Sequence, residues 1–338
     1  MPSRRRRARG LFFLLLCSAG VLAAEPLPVR VGLTRETAAA PFLVALEAAY
    51  FQAEGLLPEV SFFKSDGLVQ AAVASGKVDI GMASLSAAFY TAAAAHGFKA
   101  IASRSSDQTG FPLYALLISQ KARAAGFTGV RGLPNARIGV AGTDSGAYYA
   151  LFSIASRFKL DPGSIKTVPL KSPARELAAL ARGDIDAALL PFPTALPLAK
   201  EGRSLLRLSD FAQWQEGVVF TTGETIAQRR DVIVRFVRAY QHGAADYQLN
   251  FLNYDDGGDF IPGTKYERYL ASLARTLNVA PDFLARTKTY CDRRGNLDAA
   301  DVEKQVQFWQ AEGRLDKGVT ATQLLDLSFI GEETVGPH

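Results

Sequence analysis

Two short loops carry the side chains best suited to recognising a small polar molecule. "LTRETAAAPF", from Leu33 to Phe42, offers the Thr34 hydroxyl as a donor, Arg35 as a partner for an anion and Glu36 as a partner for an amine. "GTDSGAYY", from Gly142 to Tyr149, sets hydroxyl and capping groups at Thr143, Asp144 and Ser145 between Gly142 and Gly146. Those glycines allow close backbone approach, and Tyr148 and Tyr149 add ring faces, one of them expected in the core. Charged groups in a closing cleft gain strength as water leaves. Solvated loop edges would explain Arg35 and Glu36 equally well.

Further candidates follow from position. Ser84 or Ser86 in "SLSAAFY" opens a helix over Phe89–Ala95, where unpaired N–H groups favour anions or carbonyl-like acceptors. A plain N-cap serine is the competing account. Arg104, in "SRSSDQTGFP", lies near a proposed crossing between lobes, and Ser65 ends a strand at "KS". Among aromatic residues near these elements, Phe42, Phe111, Tyr148 and Phe192 are candidates to line a site; two or three such rings suit an organic ligand better than a bare inorganic anion.

Catalytic chemistry finds little footing. His96, His242 and His338 are the only histidines, and no motif places them near a Ser or Cys nucleophile. Cys17 and Cys291 are the only cysteines, and no Cys/His zinc pattern exists. No GxxxxGK[ST] loop is present. No catalytic residue, metal or cofactor is expected.

The first 24 residues stand apart. Five arginines in Met1–Gly10, the apolar run "LFFLLLCSAGVLA" and the Ala23-Ala24 pair describe a secretory signal peptide. The run is short for a membrane span, although an uncleaved anchor is the alternative. Leu16 before Cys17 argues against a lipoprotein, and the arginine pair lacks the residues of twin-arginine export. Without this segment the chain holds 33 basic and 33 acidic residues. Its basicity therefore belongs to the signal, and no nucleic-acid footprint survives.

The remaining chain repeats itself at an offset of 107 residues. "RVGL" at Arg30 falls on "RIGV" at Arg137, and "SGKVDIGMAS" at Ser75 falls on "RGDIDAALLP" at Arg182. Alanine-rich helices supply some of this similarity, but the Gly-x-x-Asp-strand pattern goes beyond composition. Each copy reads strand, helix, strand, short helix, strand, with Gly76 and Gly183 as left-handed helix caps. Asp79 and Asp186 are expected to fix the turn through backbone hydrogen bonds, with ligand contact the lesser alternative. Alternating strands and helices predict an α/β protein with two parallel-type sheets covered by helices. The tail is helical, with its clearest stripe at Val232, Ile233, Phe236, Val237 and Tyr240. Two crossings, near Tyr114–Ser119 and Gln215–Thr222, would form a two-strand hinge. The predicted division is 1–24 signal, 25–113 first lobe, 114–218 second lobe, and 219–338 first-lobe completion and C-terminal helices.

In "ALEAAYFQAEGLLPEVSFF", "AAVASGKVDIGMASLSAAF", "LPNARIGVAGTDSGAYYAL" and "LAALARGDIDAALLPFP" the chain resembles substrate-binding proteins of ATP-driven (ABC) importers. The group includes binders of nitrate, sulfonates, taurine and thiamine-pyrimidine precursors. The resemblance implies a two-lobed, type II-like periplasmic-binding-protein fold, a monomer in the periplasm that closes on one small molecule and docks on an inner-membrane permease. It also matches "GTDSGAYY" to the family's second-lobe binding loop. The aromatic candidates favour a small organic ligand, a sulfonate or an aromatic carboxylate. Alternatives are a pyrimidine-precursor binder, a biosynthetic enzyme of the same fold, or a sensory receptor. The enzyme's cysteine cluster has no counterpart here.

Overall fold

The computed structural model describes residues 25–201 and 204–330. The expected signal peptide lies outside the described residues. The first sheet is built from β1 (Leu27–Thr34), β2 (Leu56–Phe63), β3 (Ile80–Ser84), β4 (Phe98–Asp107) and a strand from late in the chain, β10 (Trp214–Thr222). Its order is β2-β1-β3-β10-β4. The second contains β5 (Tyr114–Ile118), β6 (Arg137–Val140), β7 (Lys166–Pro169), β8 (Ala187–Pro191) and β9 (Ser204–Arg207), in the order β7-β6-β8-β5-β9.

The internal repeat is real in three dimensions. β1 pairs in parallel with β2 and β3, and β6 pairs in parallel with β7 and β8. A Cβ on Gly32 would meet Phe63 and Val78, and one on Gly139 would meet Leu170 and Ile185, the same positions shifted by 107. Small residues there let the helix layer approach the sheet. Gly76 and Gly183 hold φ of 68° and 77°, as their capping positions require. Asp79 accepts from Arg30 N at 2.8 Å and from its guanidinium at 2.7 Å; Asp186 accepts from Arg137 N at 2.8 Å and its guanidinium at 2.9 Å. Both aspartates therefore tie the third strand to the first, as structural clamps.

The expected α/β plan of two helix-covered sheets holds, and two details of it differ. The sheets are mixed, because β10 runs antiparallel to β3 and β4, and β5 runs antiparallel to β8 and β9. A strand delivered from the other lobe enters its sheet from the opposite end. The proposed hinge segments are sheet strands as well: Tyr114–Ile118 lies in the second sheet and Trp214–Thr222 between β3 and β4 of the first. The crossings are the shorter segments 108–113 and 208–213, so the second lobe ends before Trp214 rather than at residue 218. An apolar run announces a strand but not the sheet it joins.

The predicted tail stripe of Val232, Ile233, Phe236, Val237 and Tyr240 is buried on the long Gly223–Phe251 helix. This helix lies so close to the Ala40–Glu47 helix that a Cβ on Gly243 would come within 2.4 Å of Ala45. A second tail helix, Ala299–Ala311, bridges the lobes. Its Trp309 stacks on Tyr148 of the second lobe at 6.3 Å, and its Asp301 accepts from the Tyr149 hydroxyl at 2.7 Å.

Candidate functional site

Between the lobes lies a cavity of about 370 Å³. The turn after β1 supplies Arg35, Glu36, Thr37 and Ala38, while Ser84, Arg104 and Glu216 come from β3, β4 and β10. The first crossing contributes Leu113, and the second lobe contributes Tyr114 at the start of β5, Pro191 at the end of β8 and Pro193 just after it. Leu277, Val279, Phe283 and Thr289 of the tail close it. The strand ends converge here because open α/β sheets leave crevices beyond their carboxyl edges.

The polar floor is one network. Arg104 Nη2 donates to Glu216 at 2.9 Å and to the Ser84 hydroxyl at 2.9 Å, while the Ser105 hydroxyl donates to Glu216 at 2.6 Å. Glu36 lies 3.8 Å from Arg104 Nη1 and keeps a half-exposed side chain. The β10 backbone bulges around Gly217, and a Cβ there would meet Arg104 Nε at 2.5 Å. Glycine is thus what admits the guanidinium. Burial would raise the Glu216 carboxyl, but Arg104 and the hydroxyls of Ser105 and Ser84 hold it below the usual carboxylate range. Burial likewise disfavours the Arg104 charge; Glu216, Asp66 and Glu36 more than offset this and raise its pKa. Glu36 is pushed up by loss of solvent, opposed by Arg104 and assisted by Asp66 and Glu216. Arg35 rests on the Phe62 ring at 3.9 Å and donates to the Thr276 carbonyl. The floor therefore presents balanced charge, with Arg104 already committed.

Of the residues expected from sequence, Arg35, Glu36, Ser84 and Arg104 meet in this cavity. Thr34 ends β1 with its hydroxyl buried and unpaired among the described residues. Phe42 packs in the first-lobe core against Phe51 and Phe236. Ser65 and Ser86 cap their helices by accepting from Leu68 N and Phe89 N. Phe111 and Phe192 line a separate, smaller cleft.

The "GTDSGAYY" loop lies outside the cavity lining and joins the lobes directly. Asp144 O accepts from Ala87 N at 3.0 Å, and Gly146 is packed so tightly that a Cβ would meet Trp214 at 2.5 Å and Leu85 O at 2.9 Å. Thr143 accepts from Arg314, Ser145 caps its helix through Tyr148 N, and Tyr148 packs on Phe152, Phe308 and Trp309. The Tyr148 partners Phe308 and Trp309 in the tail helix, and the Thr143 partner Arg314 just beyond it, are remote in sequence, so a local motif does not reveal them.

Glu216, Tyr114 and the Leu277–Thr289 wall were not among the expected site residues. Glu216 had one signal: Gln215-Glu216 is a polar pair inside a largely apolar strand. The tail wall had none. Cys291 is fully buried, and that burial pushes its thiol well up, which leaves it inert. Among the described residues no His, Cys, Asp and Glu group could hold a metal ion.

The fold recurs in solved proteins. The periplasmic aliphatic sulphonate binding protein SsuA from Escherichia coli is 15% identical, with a TM-score of 0.67 over 88% of this chain and 97% of its own. The periplasmic nitrate-binding protein NrtA from Synechocystis PCC 6803 is 13% identical, with a TM-score of 0.58 over 90% and 87%. The desulfurization enzyme DSZB is 17% identical, with a TM-score of 0.55 over 90% and 97%. No curated protein matches the chain in sequence. The NMT1/THI5-like family model matches residues 36–250, and the chain belongs to that family.

Proposed function

We propose that this protein is an extracytoplasmic solute-binding receptor: a periplasmic monomer that closes on a small organic molecule and delivers it to an ABC importer permease. The observation that carries this reading is the cavity of about 370 Å³ walled by both lobes, since a ligand touching both stabilises the closed form. The family and the sulfonate- and nitrate-binding neighbours support it. The buried Cys291 thiol and the paired Arg104 and Glu216 favour a binder over an enzyme.

The floor sharpens the ligand. A lone sulfonate on Arg104 would compete with Glu216, so an anionic headgroup is better served by Arg35. Glu36 nearby suits an amine, and Leu113, Pro191, Pro193, Val279 and Phe283 suit an apolar body. The ligand class is an amine-bearing sulfonate or aromatic carboxylate. A pyrimidine with an exocyclic amine is the second reading, favoured by Glu36 beside Tyr114 and Phe283.

A thermal-shift screen of amino sulfonates, alkyl and aryl sulfonates, aromatic carboxylates, pyrimidines and nitrate tests this. A ligand at about one hundred times its dissociation constant adds roughly 2.7 kcal/mol of stability. Glu36→Gln should weaken binding of an amine-bearing hit about tenfold or more. An equal response in wild type and E36Q would remove the amine assignment. Silence across the panel from a well-folded protein would count against the receptor.

A further inference from the structure

A second cleft, of about 110 Å³, lies on the outer side of the wall that closes the principal cavity. The same three chain segments line both. Leu113, Pro191, Phe283 and Thr289 face the principal cavity, whereas Phe111, Phe192, Arg286 and Lys288 line the outer cleft. The outer cleft also receives Arg207, the last residue of β9, from the second lobe. Three cations from two lobes thus surround a space that would hold about four waters at roughly 30 Å³ each.

Their pairing is incomplete. Arg207 is tied at Nε to Asp210 at 2.9 Å, and Arg286 at Nε to the Asp282 carbonyl at 3.1 Å. The terminal nitrogens of both guanidinia have no hydrogen-bond partner among the described residues, and Arg286 and Lys288 form no ion pair there. Lys288 Nζ donates to the Tyr254 hydroxyl at 3.4 Å and sits 3.0 Å from the Phe260 ring centroid. This half-buried setting strips water from the ammonium and lowers its pKa to about 8. The cations are held in place by a backbone carbonyl, one aspartate and aromatic rings; Asp210 balances Arg207, and Arg286 and Lys288 leave the cleft a net positive charge.

We propose that this outer cleft is a second binding site, for a small tetrahedral oxyanion such as sulfate or phosphate, which bridges Arg207 of the second lobe to Arg286 and Lys288 of the first. Two guanidinia present fork geometry to such oxygens, and the ammonium adds a point charge. Lobe opening would draw Arg207 away from the other two, so the anion favours the closed form. It therefore tightens any ligand of the principal cavity, and that ligand tightens the anion by the same factor.

Calorimetric titration with sodium sulfate and, separately, sodium phosphate tests the site, with chloride holding ionic strength constant. Wild type should take up one oxyanion saturably. Arg207→Gln and the double variant R286Q/K288Q should each weaken uptake at least tenfold, while Arg35→Gln in the principal cavity stays within about twofold. Lys288 should titrate at higher pH when the anion is bound. A larger response to phosphate than to sulfate, or the reverse, identifies the preferred ion. If the double variant does not fold, Arg286→Gln alone supplies the reading, because that side chain is exposed. Absence of saturable uptake in wild type overturns the site. So does uptake that persists in R286Q/K288Q and vanishes in R35Q, which would place the anion in the principal cavity. Unchanged binding in R207Q overturns the bridge. None of these readings needs the principal ligand, so its failure and that of the receptor assignment are distinct.

Discussion

Arg104 and Glu216 face each other at 2.9 Å across the β4–β10 pairing, with side chains only 3% and 5% exposed. Removing one partner strands a charge away from water, which costs about 3–5 kcal/mol. R104M and E216Q should each lower stability in chemical denaturation. The double variant R104M/E216Q should recover much of the loss, and purely additive losses would mean that the two groups are not coupled.

Glu176 is the least satisfied acid among the described residues. It is fully buried on the Pro173–Arg182 helix, both carboxyl oxygens lack partners among the described residues, and burial raises its pKa to about 8. The folded state therefore holds a proton that the unfolded chain releases near its usual value of 4.5. This contribution is fully favourable below about pH 4.5 and is lost as pH rises towards about 8, at about 1.4 kcal/mol per pH unit. The first-lobe counterpart is Val69. E176V should stabilise the protein at pH 8, and E176Q should flatten the pH profile. Parallel wild-type and E176Q profiles would contradict this origin.

Asp107, the last residue of β4, ties the first crossing to the start of β10. Its carboxylate accepts from Leu113 N at 2.8 Å and from the Trp214 indole at 3.1 Å. Burial raises its pKa to about 7 despite those two donors. An asparagine has one acceptor oxygen for the two donors. D107N should therefore cost about 1–3 kcal/mol, with Trp214 fluorescence reporting the disturbance. A variant as stable as wild type, with unchanged fluorescence, would remove Asp107 from this role.

The two strand clamps are unequal. Asp79 is 7% exposed and adds Arg229 at 3.1 Å, whereas Asp186 is 29% exposed and carries Arg137 alone. D79N should cost about 2 kcal/mol, and D186N less, because water screens the outer pair. Equal shifts in melting temperature would contradict the burial argument.

Gly146 sets the spacing of the lobes where the second-lobe loop meets Trp214 and Leu85. G146A should cost about 1–3 kcal/mol through overpacking. Its effect on a principal-cavity ligand should come only through lobe closure, because the residue does not line that cavity. Calorimetry on G146A would expose the opposite case as a lost contact with unchanged melting temperature.

The duplicated skeleton is legible in the amino-acid sequence itself. Glycine caps, aspartate clamps and the succession of strands and helices follow from local conformation and short-range pairing, and they recur at Arg30/Asp79 and Arg137/Asp186. Residue chemistry also marks Arg35, Glu36, Ser84 and Arg104 as able to bind, and these meet in the cavity. Which surfaces face each other was settled by the folded arrangement alone. Glu216 reaches Arg104 because β10 returns between β3 and β4. The "GTDSGAYY" loop docks on Trp214 and the Ala299–Ala311 helix instead of opening onto the cavity. The physical reason is that side-chain periodicity records how much of an element is buried, whereas the partner that buries it is chosen by packing between segments far apart in the chain.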